Sequence, residues 1–291
     1  MRWLSLLFTR RASLNRIINR ALPIFTLPIF KPTPVLAQNQ FDPSVIQNQN
    51  DIKESDNQIQ DDETCKANFK SEDDMGGEWR CSGDSNAALI NNLFQSGIIK
   101  SERIKNAMAA VDRAHYVPDE YQSEAYEDHP IPIGHAATIS APHMHALALS
   151  LLEDHAKPGM KVLDIGSGSG ILCSMFAQMV TENGANGKVV GIDYIKALLD
   201  MSDTNIKKGP EKAFLDSRVI TLHQGDGWKG FSERAPYDAI HVGAAAATMP
   251  DDLIEQLALG GRMVIPVGTD DQVYKIVDMD ANGKVTVTDM M

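Results

Sequence analysis

Residues 162–170 read Val-Leu-Asp-Ile-Gly-Ser-Gly-Ser-Gly, and this stretch restricts the fold more tightly than any other. Val162 and Leu163 end an apolar strand, and Asp164 sits at its carboxyl edge. Gly166, Gly168 and Gly170 then form a tight loop, and the apolar run Ile171 to Val180 reads as a helix. A strand–glycine loop–helix unit lays a ligand directly on backbone N–H groups at a helix start. A dinucleotide-binding loop would need Gly or Ala at the third position of its register, where Ile171 stands. The remaining alternatives are another nucleoside cofactor or a plain βα turn in some doubly wound α/β fold.

The strands that follow narrow the choice. Lys188 to Asp193 is a short apolar strand ending in an acid about twenty residues past the loop, the separation expected for an acid that accepts hydrogen bonds from a ribose diol. Asp193 could equally cap the next helix, Tyr194 to Ile206, or do both. A third strand, Arg218 to Leu222, runs into Gly225-Asp226-Gly227, where the acid can accept from an adenine amino group or simply make a turn. Acids at the ends of three successive strands form one coherent site along the carboxyl edge of a parallel sheet. The D-x-G-x-G-x-G spacing resembles the first motif of the S-adenosylmethionine-dependent methyltransferases. The fold this implies is their class I form, a doubly wound, mostly parallel Rossmann-like sheet with an N-terminal helical segment.

The alternating pattern continues with a fourth strand, Tyr237 to Gly243, a helix from Asp251 to Leu259 stopped by Gly260-Gly261, and a fifth strand from Arg262 to Val267. Gln272 to Asp278 and Lys284 to Thr288 read as a hairpin around Asp280-Ala281-Asn282-Gly283. Upstream, Ser82 or Asp84 caps a helix burying Leu89, Ile90, Leu93 and Phe94, and Ser101 starts a second helix burying Ile104, Met108 and Val111. A loop from Asp112 to Gly134 follows, and then a helix with Leu147, Ala148, Leu151 and Leu152 toward the core.

Residues 1–41 carry six basic residues and no acid, the composition of a transit peptide or, with the short apolar stretch Ala21 to Phe30, a secretory signal. That stretch is too short to span a bilayer, so no stable membrane association is expected. Residues 42–80 are polar and acidic, with too little apolar surface to offset chain entropy, and read as a disordered linker before a folded domain at 81–291. The net charge of −12 argues against a nucleic-acid partner. Cys65, Cys81 and Cys173 have no metal-ligand spacing, and an odd count in such a chain speaks against a disulfide framework.

The loop after the fourth strand, Gly243-Ala244-Ala245-Ala246-Ala247-Thr248, faces the methyl group in folds of this kind. It offers no carboxylate, imidazole, amide pair or thiol. Such a loop suits an acceptor that is already an anion and needs no general base; a carboxylate is the obvious one. Residues 137–145 could receive it. Ser140 followed by Pro142 reads as a helix start with Ser140 as N-cap, its free N–H groups favouring an anion. Thr138 and Ser140 add hydroxyl donors. The alternatives are Ser140 as a structural cap alone and His143 as a packed or surface imidazole.

Five segments then occur in a familiar order and spacing: ATISAPHMHA at 137–146, LDIGSGSGIL at 163–172, GID at 191–193, GDG at 225–227 and PYDAIHVGAA at 236–245. Together they resemble the protein-L-isoaspartate (D-aspartate) O-methyltransferases, a likeness that runs from about Ala88 to Val287. The resemblance implies methylation of the abnormal carboxylate of isoaspartyl residues in ageing proteins. The ester collapses to a succinimide that reopens partly as normal aspartate. It implies S-adenosylmethionine as cofactor, with S-adenosylhomocysteine as product, isoaspartyl proteins as partners, a monomer, and a cytosolic location; the basic leader favours an organelle instead. Carried over by motif, Ser140 and Thr138 are the catalytic candidates. Ala137, Thr138, Ile139, Ser140, His145, Asp164, Gly166, Gly168, Ser169, Asp193, Tyr194, Asp226 and Gly227 are the cofactor-binding candidates. The family pattern runs on past the segment matching Val285 to Met291 with a further strand of the form Tyr-Val-Pro-Leu, so the expectation is either a truncated sequence or a domain lacking a sheet strand.

Overall fold

Seven strands form the central sheet of the computed structural model, which describes residues 65–66, 80–269 and 272–290. The described residues begin with a two-residue ladder, β1 (Cys65–Lys66) against β2 (Arg80–Cys81), followed by helices α1 (Asn86–Gln95) and α2 (Glu102–Ala109). A small hairpin, β3 (Ile131–Gly134) with β4 (Ala137–Ile139), leads into α3 (Pro142–Leu152). Then come β5 (Lys161–Ile165), α4 (Ile171–Val180), β6 (Lys188–Asp193), α5 (Lys196–Ile206), α6 (Lys212–Asp216), β7 (Ile220–Gln224), β8 (Tyr237–Val242), α7 (Asp251–Ile254), β9 (Leu257–Val267), β10 (Val273–Met279) and β11 (Val285–Asp289).

The strand order is β11-β10-β9-β8-β5-β6-β7. The five strands from β9 to β7 are parallel, and β10 and β11 are antiparallel additions. From β5 the chain winds outward through β6 to β7, then returns to place β8 on the other side of β5. That reversal opens a crevice past the carboxyl ends of β5 and β8, where ligands bind in open α/β sheets.

Period-two alternation assigns the two faces. Val162, Val189, Ala239 and Val264 join one buried cluster, with Leu89, Leu93, Ile104, Leu149 and Phe176 from the helices. Their neighbours Leu163, Val190, Ile240 and Met263 join a second cluster with Leu253 and Val277. A parallel sheet needs both faces covered, and near-continuous apolar strands such as Val189-Val190 result. Behind the sheet, the fully buried Tyr116 donates its hydroxyl to Ser174 Oγ at 2.8 Å. Burial raises the Tyr116 pKa above the ordinary phenol range.

Several sequence expectations need correction. The cap of α1 is Ser85, whose Oγ accepts from Ala88 N at 3.2 Å, rather than Ser82 or Asp84. The loop read at Asp112 to Gly134 contains β3, and the helix read from Tyr194 begins at Lys196. The third parallel strand starts two residues late, at Ile220. The helix read at Asp251 to Leu259 ends at Ile254, and β9 has already begun at Leu257. Gly260-Gly261 is no helix stop but an irregularity in β9, where Tyr237 pairs with Leu257 and Ala239 with Arg262. A Cβ on Gly261 would stand 3.0 Å from the Tyr237 carbonyl oxygen, so the strands can approach there only through glycine.

Most of the linker read at 42–80 lies outside the described residues; Cys65–Lys66 pairs with Arg80–Cys81, and Cys81 is disulfide-bonded, against the expectation of no disulfide framework. Cys173 is free and buried, as expected. The leader at 1–41 lies outside the described residues. Among the described residues, no helix is long and apolar enough to cross a membrane.

Candidate active site

The loop after β5 turns on Gly166, Gly168 and Gly170, all with positive φ (72°, 51° and 87°), a region that costs other L-residues roughly 1–2 kcal/mol. Its backbone is tied to the next strand: Gly166 N and Ser167 N both donate to Ile192 O, at 2.8 and 3.0 Å. Asp193 completes the tie. Its Oδ2 accepts from Gly168 N at 3.1 Å and its Oδ1 from Ile195 N at 2.9 Å, so it both steadies the loop and closes the turn that leads into α5. Ser202 Oγ holds the Gly168 carbonyl at 2.6 Å from behind.

In front of this loop lies a cavity of about 610 Å³, within the range of small-molecule sites. Nine of the expected residues line it: Ala137, Thr138, Ser140, Gly166, Gly168, Asp193, Tyr194, Asp226 and Gly227. Gly227 must be glycine, because a Cβ there would stand 2.5 Å from Ile165 Cγ2. Asp226 Oδ1 caps the next turn, accepting from Trp228 N at 3.1 Å.

The other four expected residues lie elsewhere. Ile139 is buried in the core, and Ser169 is buried behind the loop with its carbonyl bound to Asn205. Asp164 is 1 % exposed; it accepts from His241 Nδ1 at 2.7 Å and the Cys173 thiol at 3.2 Å, and does not line the cavity. Burial and the Asp164 charge push the Cys173 thiol well above its usual range.

His145 lines a second cavity of about 280 Å³, together with His241, Gln272 and Tyr274. Burial, aided by the Arg113 charge, holds its imidazole well below the usual histidine pKa, and therefore neutral at pH 7. Two residues, Ser140 and Gly243, line both cavities. Gly243 N donates to Ile165 O at 2.8 Å, which presses the fourth-strand loop against Gly166.

Ser140 is not the N-cap of α3. Ala141 occupies that position without a side-chain bond, Pro142 follows in the first turn, and the Ser140 side chain stays exposed to both cavities.

His135, Ala136, Leu198 and Trp228 also line the large cavity, although the sequence reading did not select them. Trp228 directly follows Asp226-Gly227, a signal that was present. His135 and Ala136 carried none. They adopt left-handed φ of 54° and 57°, rare for such residues and concentrated at functional sites.

The positive-φ glycine loop leaves its backbone open to a bulky ligand, Asp193 and Asp226 supply acceptors for hydroxyl and amino donors, and the cavity has room for a nucleoside with an amino-acid tail. Among the described residues, no group of three or more metal-ligating side chains occurs.

A switch-point cavity, a glycine loop tied to the acid of the second strand and a further acid past the third define a class I S-adenosylmethionine-dependent methyltransferase. Comparison with known proteins is more specific. The family model described as protein-L-isoaspartate(D-aspartate) O-methyltransferase matches residues 84–291, and the chain belongs to that family.

Protein-L-isoaspartate O-methyltransferase 2 of Arabidopsis thaliana is 52% identical over 199 residues, 68% of this chain and 63% of that protein. The chain thus spans just under two thirds of that relative's length. Protein-L-isoaspartate O-methyltransferase 1 of the same plant is 48% identical over 71% of this chain and 87% of its own length. A crystal structure from Plasmodium falciparum, described as a protein-L-isoaspartate O-methyltransferase in complex with S-adenosyl-L-homocysteine, aligns with a TM-score of 0.65. It is 33% identical and covers 72% of this chain and 95% of that one.

Proposed function

We propose that this chain transfers a methyl group from S-adenosylmethionine to the side-reaction carboxylate of isoaspartyl residues in damaged proteins, as a repair enzyme. One observation carries the reading beyond the family: a nucleoside-sized cavity and a smaller one meet at Ser140 and Gly243. A donor and an acceptor held in the two would face each other across that junction.

In the large cavity, Asp193 would take the ribose hydroxyls, Asp226 the adenine amino group, and the Gly166–Gly168 loop the amino-acid end. When bound, the cofactor supplies an electrophilic methyl on a sulfonium. The acceptor carboxylate oxygen forms the new bond to that carbon as the sulfur–carbon bond breaks, and the sulfur keeps the electron pair. Anion and cation become two neutral products, and no proton moves. A general base is therefore unnecessary, in keeping with the inert Gly243-Ala244 loop. The protein's share is alignment: the Ser140 hydroxyl at the junction orients the carboxylate, Thr138 adds a hydroxyl on the donor side, and neutral His145 sets the polarity of the acceptor side without contributing charge. The enzyme acts as a monomer in the cytosol, and the acid-free leader supports an organelle as the alternative address.

The test uses the full chain, labelled S-adenosylmethionine and two peptides differing only in an isoaspartyl or aspartyl linkage. Base-labile label in the isoaspartyl peptide alone is the expected result. Equal labelling of both peptides, or of neither, would refute the assignment.

A further inference from the structure

With Ser140 excluded as the cap of α3, another group must satisfy the N–H groups at that helix start. The structure assigns this role to Asp128, which we propose as a positioning residue that caps α3 from outside the helix and leaves the Ser140 hydroxyl free for the acceptor. The proposal rests on the functional reading above for the part Ser140 plays.

Asp128 precedes β3, twelve residues before Ser140. Its side chain is fully buried, and its Oδ1 accepts from His143 N at 2.9 Å and lies 2.8 Å from His143 Nδ1. The first bond is the one an N-cap side chain makes, supplied here from a distant position. The second fixes the imidazole of the same residue, so a single carboxylate oxygen locks both the backbone and the side chain of the first helical turn. Asp128 is itself anchored, because its backbone N–H donates to Cys81 O at 2.9 Å.

The groups around it fit a buried anion. Arg113, 2 % exposed, faces it, and the Asp128 charge opposes the burial that lowers the Arg113 pKa to about 10. The Arg113 guanidinium also donates to His129 O at 3.2 Å, which ties it to the segment carrying Asp128. The remaining oxygen, Oδ2, and two Arg113 nitrogens have no partner among the described residues. A fully buried carboxylate with its bonds directed at the helix start next to Ser140 points to placement of that serine.

The experiment reads two quantities in Asp128→Ala, Asp128→Asn, Ser140→Ala and the Asp128→Ala/Ser140→Ala double variant of the full chain. The first is hydrogen exchange at the His143 amide, which needs no turnover. Exchange should accelerate in Asp128→Ala and hold in Ser140→Ala; acceleration in Ser140→Ala alone would show that serine to be the cap and overturn the proposal.

The second is methylation of the isoaspartyl peptide. Asp128→Ala should lower kcat roughly ten- to hundredfold, the scale of a misplaced reacting group, while the dissociation constant for S-adenosylhomocysteine changes less than about threefold. Asp128→Asn, which keeps an oxygen acceptor, should recover most of the loss. In the Ser140→Ala background, Asp128→Ala should cost little more. A full second loss there, or a loss of cofactor affinity matching the fall in kcat, would reduce Asp128 to a general structural role. A parent enzyme inactive on the peptide would overturn the functional reading instead, and the exchange result would still decide the cap.

Discussion

Replacing Asp193 by alanine should weaken cofactor binding by an amount that the local geometry sets. Its carboxylate is nearly buried and accepts two backbone N–H bonds, from Gly168 at 3.1 Å and Ile195 at 2.9 Å, while it faces the large cavity. Hydrogen bonds to a charged group contribute about 1.5–3 kcal/mol each. The cavity lets water reach the abandoned amides, so the two protein bonds are partly replaced and their loss falls mainly on folding stability. The ribose contact has no such replacement in the complex. Its loss of about 1.5–3 kcal/mol corresponds to a roughly 10- to 160-fold higher dissociation constant. Calorimetric titration of S-adenosylhomocysteine into parent, Asp193→Ala and Asp193→Asn would measure this, and the amide should fall between the other two. An unchanged dissociation constant in Asp193→Ala, alongside a lowered unfolding midpoint, would refute the reasoning and leave Asp193 as a loop tie only.

Two further outcomes can be checked by unfolding. Ser174→Ala strands the buried Tyr116 hydroxyl and should cost about 1–3 kcal/mol in urea denaturation; a change under about 0.5 kcal/mol would mean the hydroxyl finds another acceptor. Because burial depresses the folded pKa of His145 below the ordinary 6.5, the unfolded chain takes up a proton there as pH falls that the folded chain refuses. Stability should therefore decline below about pH 6.5, by up to about 1.4 kcal/mol per pH unit for this group, and be indifferent to it above. His155 and His223, lowered in the same direction, steepen the decline. His145→Gln should flatten it, and an identical pH profile in that variant would remove His145 from the account.

The repeating strand–helix pattern was legible because each parallel strand is buried on both faces and each glycine loop has a fixed chemical reason. Asp193 and Asp226 could be found for the same reason, since their places follow from strand ends. What escaped depends on contacts distant in sequence. Ser140 before Pro142 has every local mark of an N-cap, yet Asp128 makes that bond from twelve residues away. Gly260-Gly261 reads as a helix stop until β8 is seen pressing on β9. Asp164 stands at the expected strand edge but turns inward, because His241 on the neighbouring strand offers it a proton donor. His135 and Ala136 reach the cavity through backbone angles that their residue types do not announce.

The meeting of the two cavities at Ser140 and Gly243 bears on the order of events during turnover. The two cavities share only Ser140 and Gly243 among their lining residues, so on the proposed function donor and acceptor can reside together, and neither has to leave before the other arrives. Steady-state rates measured over a grid of both concentrations should then give intersecting rather than parallel reciprocal lines. The methylated chain can depart on its own side while the spent nucleoside is still seated, so the slow step of the cycle can be the emptying of the glycine-floored chamber rather than bond formation.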